Sequence, residues 1–287
     1  MTDWILASRN RFGTDVVAKM LLAIDMDDVV DPVVHLPAQI PIECSQEDIE
    51  LCFSLCVQIW QEGADRSTMH RLVRCLLTRG DLNADERAQY KQIRALYKHL
   101  RFALALYSRQ HKPPLLYRVT VALMGHLQDS FRNGQRRATM GYGALLQVML
   151  WRPVWNIVRL EVGRTRLDSP AGLFAFRSRE FARLRNWLGS ITLTSHMFHA
   201  MRKVISRQVS FYDTMKTLRP SEEFYRMSRF LSAINGLMGQ MHDDLVEERD
   251  GGKRNYHRDM VNVPADIRQR LEKVAFAMPS PVKASLF

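Results

Sequence analysis

The sequence predicts an all-α protein, a two-domain multi-helix bundle. Apolar residues recur at a spacing near 3.6, alternation with period two is scarce, and Gly or Pro usually interrupts the chain between periodic segments. With 46 % hydrophobic residues in 287, the chain can bury ordinary cores, and its length suits one large or two modest domains.

The elements follow in order. Helices are expected over 14–28, 46–61, 66–79, 84–108, 115–132 and 138–161. Ser45 precedes the acids Glu47 and Asp48, the pattern of a cap followed by a first turn that favours negative charge. Asn83 stands in the capping place before the long central helix. The paired prolines of HKPP at 111–114 and the Asn-Gly of RNGQRR at 132–137 break the pattern. GRTRLDSPAG at 163–172 concentrates Gly, Ser, Asp and Pro, which sets a boundary between a domain over 1–162 and another over 173–287. Downstream, helices are expected over 175–188, 190–217 and 221–249. A basic, mostly irregular tail beginning GGKRNYHRD at 251 follows, with a helix near 265–276. Neither an internal repeat nor a low-complexity tract is present.

Charge narrows the partners. Forty-one Lys and Arg against 30 Asp and Glu give a formal charge of +11 and a pI near 9.8, an excess that attracts polyanions and anionic membranes. The stretch YKQIRALYKHLRFAL at 90–104 concentrates that charge. At 100° per residue Ile93, Leu96, Tyr97, Leu100 and Leu104 share one stripe, and Lys91, Arg94, Lys98 and Arg101 line the other side. One face is built to pack and the other to meet an anion, the competing reading being a solvated helix face. Arg177, Arg179, Arg183, Arg185, Arg202, Lys203 and Arg207 extend basic character into the second domain, and Lys253, Arg254, His257 and Arg258 into the tail.

No apolar run approaches the roughly 20 residues that span a bilayer. The N-terminal residues lack an apolar core followed by a cleavage site, so synthesis in the cytosol or nucleus is expected. Cys44, Cys52, Cys56 and Cys75 lack the spacing of a zinc ribbon or a secreted disulfide framework and read as reduced. Cys52 and Cys56, one turn apart on an apolar segment, read as buried packing. No Gly-rich phosphate loop or nucleophile elbow appears.

From about Ser54 to Met149 the order of segments resembles the N-terminal region of orthomyxovirus matrix proteins. SLCVQIWQEGADRSTMHRLVRCLL is similar to that family's apolar helix, polar turn and basic-headed helix. RGDLNADERAQYKQIRALYKHLR resembles its Gly-Asp-x-Asn turn and basic helix, and LLYRVTVALMGHLQDSFRNGQRRATMGYGALLQVM resembles two apolar helices with an Arg-and-Gly turn between them. The resemblance covers about a third of the chain. It implies two small bundles followed by a separate helical domain, in a structural, non-enzymatic protein that self-assembles into homo-oligomers. Its implied partners are acidic membrane lipids and viral ribonucleoprotein or RNA, and its implied place is the virion under the envelope, the host cytoplasm and the inner face of the plasma membrane. Carried over by residue, the binding positions are Lys91, Arg94, Lys98 and Arg101 with His70, Arg71 and Arg74. His99 and Leu100 dilute the family's basic cluster, which puts nuclear import through it in doubt. The Cys-Cys-His-His set of influenza-type members is missing from VMLWRPVWNIVRLEV, so no structural zinc and no cofactor are expected.

Two other readings stand beside this one. DDVVD at 27–31 and DDLVEE at 243–248 raise a competing reading: GLMGQMHDDLVEERDGGKRN at 236–255 resembles the second magnesium-binding motif of all-helical isoprenoid synthases, although 216 residues separate Asp27 from Asp243 and DDVVDP reads equally as the polar end of a helix stopped before Pro32. The expectation is that these two acids lie far apart on exposed surfaces. The other is a basic helical RNA-binding protein without membrane affinity. His196 and His199, three apart, read as core or interface histidines rather than ligands.

Overall fold

The computed structural model describes residues 11–250, 255 and 258–278. It is 75 % helical, with 11 helices among the described residues and two three-residue strands. The helices are α1 (Thr14–Asp25), α2 (Gln46–Gly63), α3 (Arg66–Arg79), α4 (Ala84–Tyr107), α5 (Leu115–Arg132), α6 (Arg136–Met149), α7 (Arg152–Gly163), α8 (Pro170–Leu188), α9 (Ser195–Leu218), α10 (Glu222–Asp250) and α11 (Ala265–Ala277). Strands β1 (Thr192–Thr194) and β2 (Met260–Asn262) pair antiparallel, with Leu193 opposite Val261.

Ser45 and Asn83 cap two helices where the sequence places them. The Ser45 hydroxyl accepts from the Asp48 amide at 3.1 Å, and the Asp48 carboxylate accepts from the Ser45 amide at 3.0 Å. Asn83 and Glu86 form the same reciprocal pair on α4, at 2.9 and 3.0 Å, so that two otherwise orphaned amides are satisfied. Asp65 caps α3 through the amides of Ser67 and Thr68. Gly80 closes that helix with φ +82°, a left-handed conformation that glycine adopts without a Cβ clash.

Two expectations need correction. The helix expected over 138–161 is two helices, because Pro153 has no amide to donate and its ring would collide with the preceding turn. Proline is tolerated in a first turn, and α7 begins at Arg152 with Pro153 in that turn. The helix expected from 190 begins instead at Ser195, preceded by β1, and Thr194 caps it by accepting from the Met197 amide at 3.2 Å.

The chain divides into two compact units. The division after Asp168 falls within the Gly/Ser/Asp/Pro-rich segment 163–172. Residues 18–49, assigned by the sequence to the first domain, belong with the second: unit 1 holds the described residues up to Val17 and Glu50–Asp168, and unit 2 holds Ala18–Ile49 and the described residues from Ser169 on.

In unit 1, α5 packs along α6, α3 against α6, and α4 against α3 and α5. The apolar stripe of α4 is buried, with Tyr97, Leu100 and Leu104 fully so. From Phe102 to Tyr107 every residue is buried, as befits a helix whose last turns are apolar all round. Trp60 meets Tyr97 and Tyr117 edge-on at 5.8 and 5.7 Å and lies 5.3 Å from Trp155. The Tyr117 hydroxyl donates to the Tyr97 carbonyl at 2.8 Å, and the Tyr90 hydroxyl to the Met124 carbonyl at 2.9 Å.

In unit 2, α9 runs along α10, α8 packs against α9 and α11, and α11 also touches α10. Phe198, Met201, Ile205, Met227, Leu231 and Met238 fill the seam. Polar pairs cross it as well. The Ser206 hydroxyl donates to Asn235 Oδ1 at 2.7 Å, and the Ser228 hydroxyl to Asp213 Oδ1 at 2.6 Å. Lys216 Nζ donates to that same Asp213 oxygen at 2.7 Å.

Burial pushes the carboxyl of Asp213 up to about 6, against the opposing pull of Lys216 and Ser228 and with help from the negative charge of Asp27. A raised acid binds its proton more tightly folded than unfolded, so this group lowers stability as pH rises from about 4 to about 6. Asp213→Asn is expected to remove that fall. Urea unfolding at closely spaced pH values should show the variant gaining on the parent by roughly 2 kcal/mol across the interval, and parallel curves for the two proteins would refute the assignment.

Candidate polyanion interface

The basic stripe of α4 is less open than its spacing suggests. Lys91 is exposed, but Arg94, Lys98 and Arg101 are half-buried. Arg94 reaches across Gly125 of α5, where an added Cβ would stand 3.4 Å from its Nη2. Lys98 and Arg101 lie over the Phe102 ring at 5.8 and 5.2 Å.

The α3 residues divide similarly. His70 is half-buried, and its carbonyl accepts from Gln147 Nε2 of α6 at 3.2 Å. Arg71 is exposed but tied to α4, donating to Gln89 Oε1 at 2.8 Å and standing 3.6 Å from Glu86. Arg74 is exposed. The positions most open to a polyanion are therefore Arg74 and Lys91, with Arg71 partly engaged.

A second cationic site lies where the sequence shows only breaks. After α4 the chain turns through Ser108–Pro114, and after α7 through Arg164–Asp168. The two turns are stitched together: the Arg109 amide donates to the Arg166 carbonyl and the Asp168 amide to the Tyr107 carbonyl, both at 2.9 Å. Ser108 bridges Leu167, and His111 Nε2 stands 3.1 Å from the Asp168 carboxylate. A concavity of about 450 Å³ results, and Arg109, Lys112, Arg164 and Arg166, all exposed, line it. The signal was present as two basic turns, SRQHKPP and GRTRLD, but nothing local in either says that they meet.

The basic residues of the second unit are largely used internally, a correction to the extended positive surface that the sequence suggests. Arg177 is buried, donating to Gln208 Oε1 and the Tyr212 hydroxyl, both at 3.0 Å, with its guanidinium 3.7 Å from the Phe211 ring centroid. Arg207 pairs with buried Glu180. Arg185 donates to the Ala275 carbonyl at 2.6 Å. Arg179, Arg183 and Lys203 remain exposed. Lys253, Arg254 and His257 lie outside the described residues.

Both acidic clusters lie on or against α10. The Asp27 carbonyl accepts from Asn235 Nδ2 at 2.9 Å, and Asp31 pairs with Arg229 at 3.4 Å, so the first cluster rests on α10. The second lies along the same helix, with Asp243 exposed, about 10 Å beyond Gly236 at roughly 1.5 Å per residue. Among the described residues no three His, Cys, Asp or Glu side chains converge as a metal site would require. The His199 and His242 rings stack at 4.6 Å. Cys52 and Cys56 are buried core residues, and burial pushes the Cys44 thiol up to about 12.

Comparison of the chain with protein families, with curated proteins and with solved structures gives no match. No described helix is long and apolar enough to cross a membrane.

Gly236 is what lets the 27–31 segment lie on α10. An added Cβ would collide with the Asp28 carbonyl oxygen and stand 2.8 Å from Val30 Cγ2. Gly236→Ala should cost about 1–3 kcal/mol, whereas Gly141→Ala, with nothing within 4 Å of the new Cβ, should be neutral or slightly stabilising. Thermal melts of the two variants test this, and equal melting temperatures would contradict the close approach.

Proposed function

We propose that this chain is a matrix-type structural protein, one that lines a viral membrane from within, binds acidic lipid and ribonucleoprotein, and self-assembles. The observation that carries the reading is the partition of α4: its apolar stripe is wholly used in the core of unit 1, while Lys91, Arg94, Lys98 and Arg101 remain on the opposite side, with Arg74 exposed on α3. The resemblance of residues 54–149 to orthomyxovirus matrix proteins gives that partition its biological direction. An exposed apolar row on unit 1, Leu145, Val148 and Trp151 at 56, 58 and 63 % exposure, supports self-association.

Arg74→Glu with Lys91→Glu tests the lipid contact without touching a buried residue. Near an anionic surface each cation contributes on the order of 1 kcal/mol, so flotation with phosphatidylserine liposomes should weaken by about a hundredfold while helical content, read by circular dichroism, is unchanged. Binding by the parent should also fall steeply as salt screens the surface charge. A folded variant that floats like the parent would defeat the proposal.

Self-association is read separately. Sedimentation of the parent should show species growing with protein concentration, and Leu145→Ser with Trp151→Ser should hold the chain at lower mass. A parent monomeric at every concentration, with and without acidic liposomes, would remove the matrix role.

A further inference from the structure

The concavity between the turns 108–114 and 164–168 has a composition that the α4 stripe does not share. Four cations, Arg109, Lys112, Arg164 and Arg166, face about 450 Å³, and none of them forms an ion pair among the described residues. The carboxylate in the wall, Glu161, is already engaged: its Oε2 accepts from the Leu116 and Tyr117 amides at 3.2 and 3.4 Å, closing the start of α5. The lining side chains therefore carry a net charge of four less one, +3, with Glu161 held to one side by its own hydrogen bonds.

Ser108 supplies an independent sign. Its side chain lies in the same wall, the residue is only 5 % exposed, and its hydroxyl has no hydrogen-bond partner among the described residues. A buried polar group left unsatisfied lowers stability unless a ligand brings it a partner.

We infer that this concavity is a binding site for a phosphate monoester. A monoester carries close to two negative charges and three acceptor oxygens, which suits several convergent guanidinium groups and a hydroxyl donor. A diester within a continuing chain offers one charge in place of two, and so suits a lining of four cations and one carboxylate less well. The site is separate from the α3–α4 stripe and goes beyond the membrane and ribonucleoprotein contacts proposed above. The monoester has two possible sources, a lipid headgroup such as that of phosphatidic acid or a small soluble molecule such as a sugar phosphate.

The test uses the full chain and three probes: inorganic phosphate and glucose 6-phosphate by isothermal titration calorimetry, and flotation with vesicles containing either phosphatidic acid or the same charge of phosphatidylserine. Arg109→Gln with Arg166→Gln should weaken saturable phosphate binding at least about tenfold, and Arg136→Gln with Arg137→Gln, an equal charge loss at exposed positions elsewhere, should leave it unchanged. Should the first pair fail to fold, Lys112→Gln with Arg164→Gln takes its place. Ser108→Ala should raise the melting temperature of the free protein yet weaken the bound phosphate, opposite signs that a purely structural serine would not give. Preference for phosphatidic acid over phosphatidylserine, lost in the Arg109/Arg166 variant, assigns a lipid source, and glucose 6-phosphate binding without that preference assigns a soluble one. No saturable binding of any probe, or equal losses in the two double variants, overturns the site.

Discussion

Unit 1 depends on the burial of one helix. Helix α4 is 24 residues long, and its apolar stripe is enclosed by aromatic rings from other helices, Trp60 of α2, Tyr117 of α5 and Trp155 of α7. Aromatic pairs contribute about 0.5–1.5 kcal/mol each beyond the area they bury, and the ring hydroxyls of Tyr90 and Tyr117 donate to neighbouring carbonyls. Such an enclosure leaves the helix only one side on which to carry charge. The cations at 91, 94, 98 and 101 are on that side because the other is full, and the chain leaving the buried end at Tyr107 must turn where the α7 exit also turns. Stripe and concavity are both consequences of how α4 is held.

Unit 2 solves a different problem. Its long pair, α9 and α10, buries apolar residues along the seam and also a ladder of polar ones, Ser206 to Asn235 and Asp213 to Ser228 and Lys216. Apolar packing tolerates sliding by a turn, whereas a hydrogen-bonded pair is satisfied in one register alone and is costly when broken. Asn235 extends the ladder outward to the Asp27 carbonyl, and Gly236 beside it gives that segment room. Residues 18–49 thereby join a unit that begins again more than a hundred residues later in the chain.

What the sequence made legible was local. The spacing of Ile93, Leu96, Tyr97, Leu100 and Leu104 defined the buried face of α4, and Ser45 and Asn83 marked two helix starts, because capping and helical period act within one or two turns. Pro153 was in plain view, but the apolar spacing on either side of it ran on and masked the break. The remaining misses are all long-range. Strand β1 gains its ladder only from residues 260–262, the turn at Arg109 gains its partner only at Arg166, and Arg177 reads as a surface cation until α9 supplies Gln208 and Tyr212. For the candidate site, residue identity was readable at 70–74 and 91–101, but exposure was not, since it depends on Gly125 and Phe102 beneath the side chains.

The same long-range packing redistributes the net charge of +11. In unit 2 Arg177, Arg185 and Arg207 are drawn inward, and Arg219 is held by Glu47 and Asp48 at 3.3 and 3.0 Å. In unit 1 Arg74, Lys91, Arg109, Lys112, Arg164 and Arg166 all point to water. At physiological ionic strength a charge is felt over only about 8 Å, so a polyanion responds to the local set it meets rather than to the sum over the chain. Cations already paired with carboxylates release few counterions when an anion arrives, and unpaired exposed ones release more. Any salt-dependent affinity for a polyanion is therefore expected in unit 1, with the acids at 27–31 and 243–248 leaving unit 2 closer to balance.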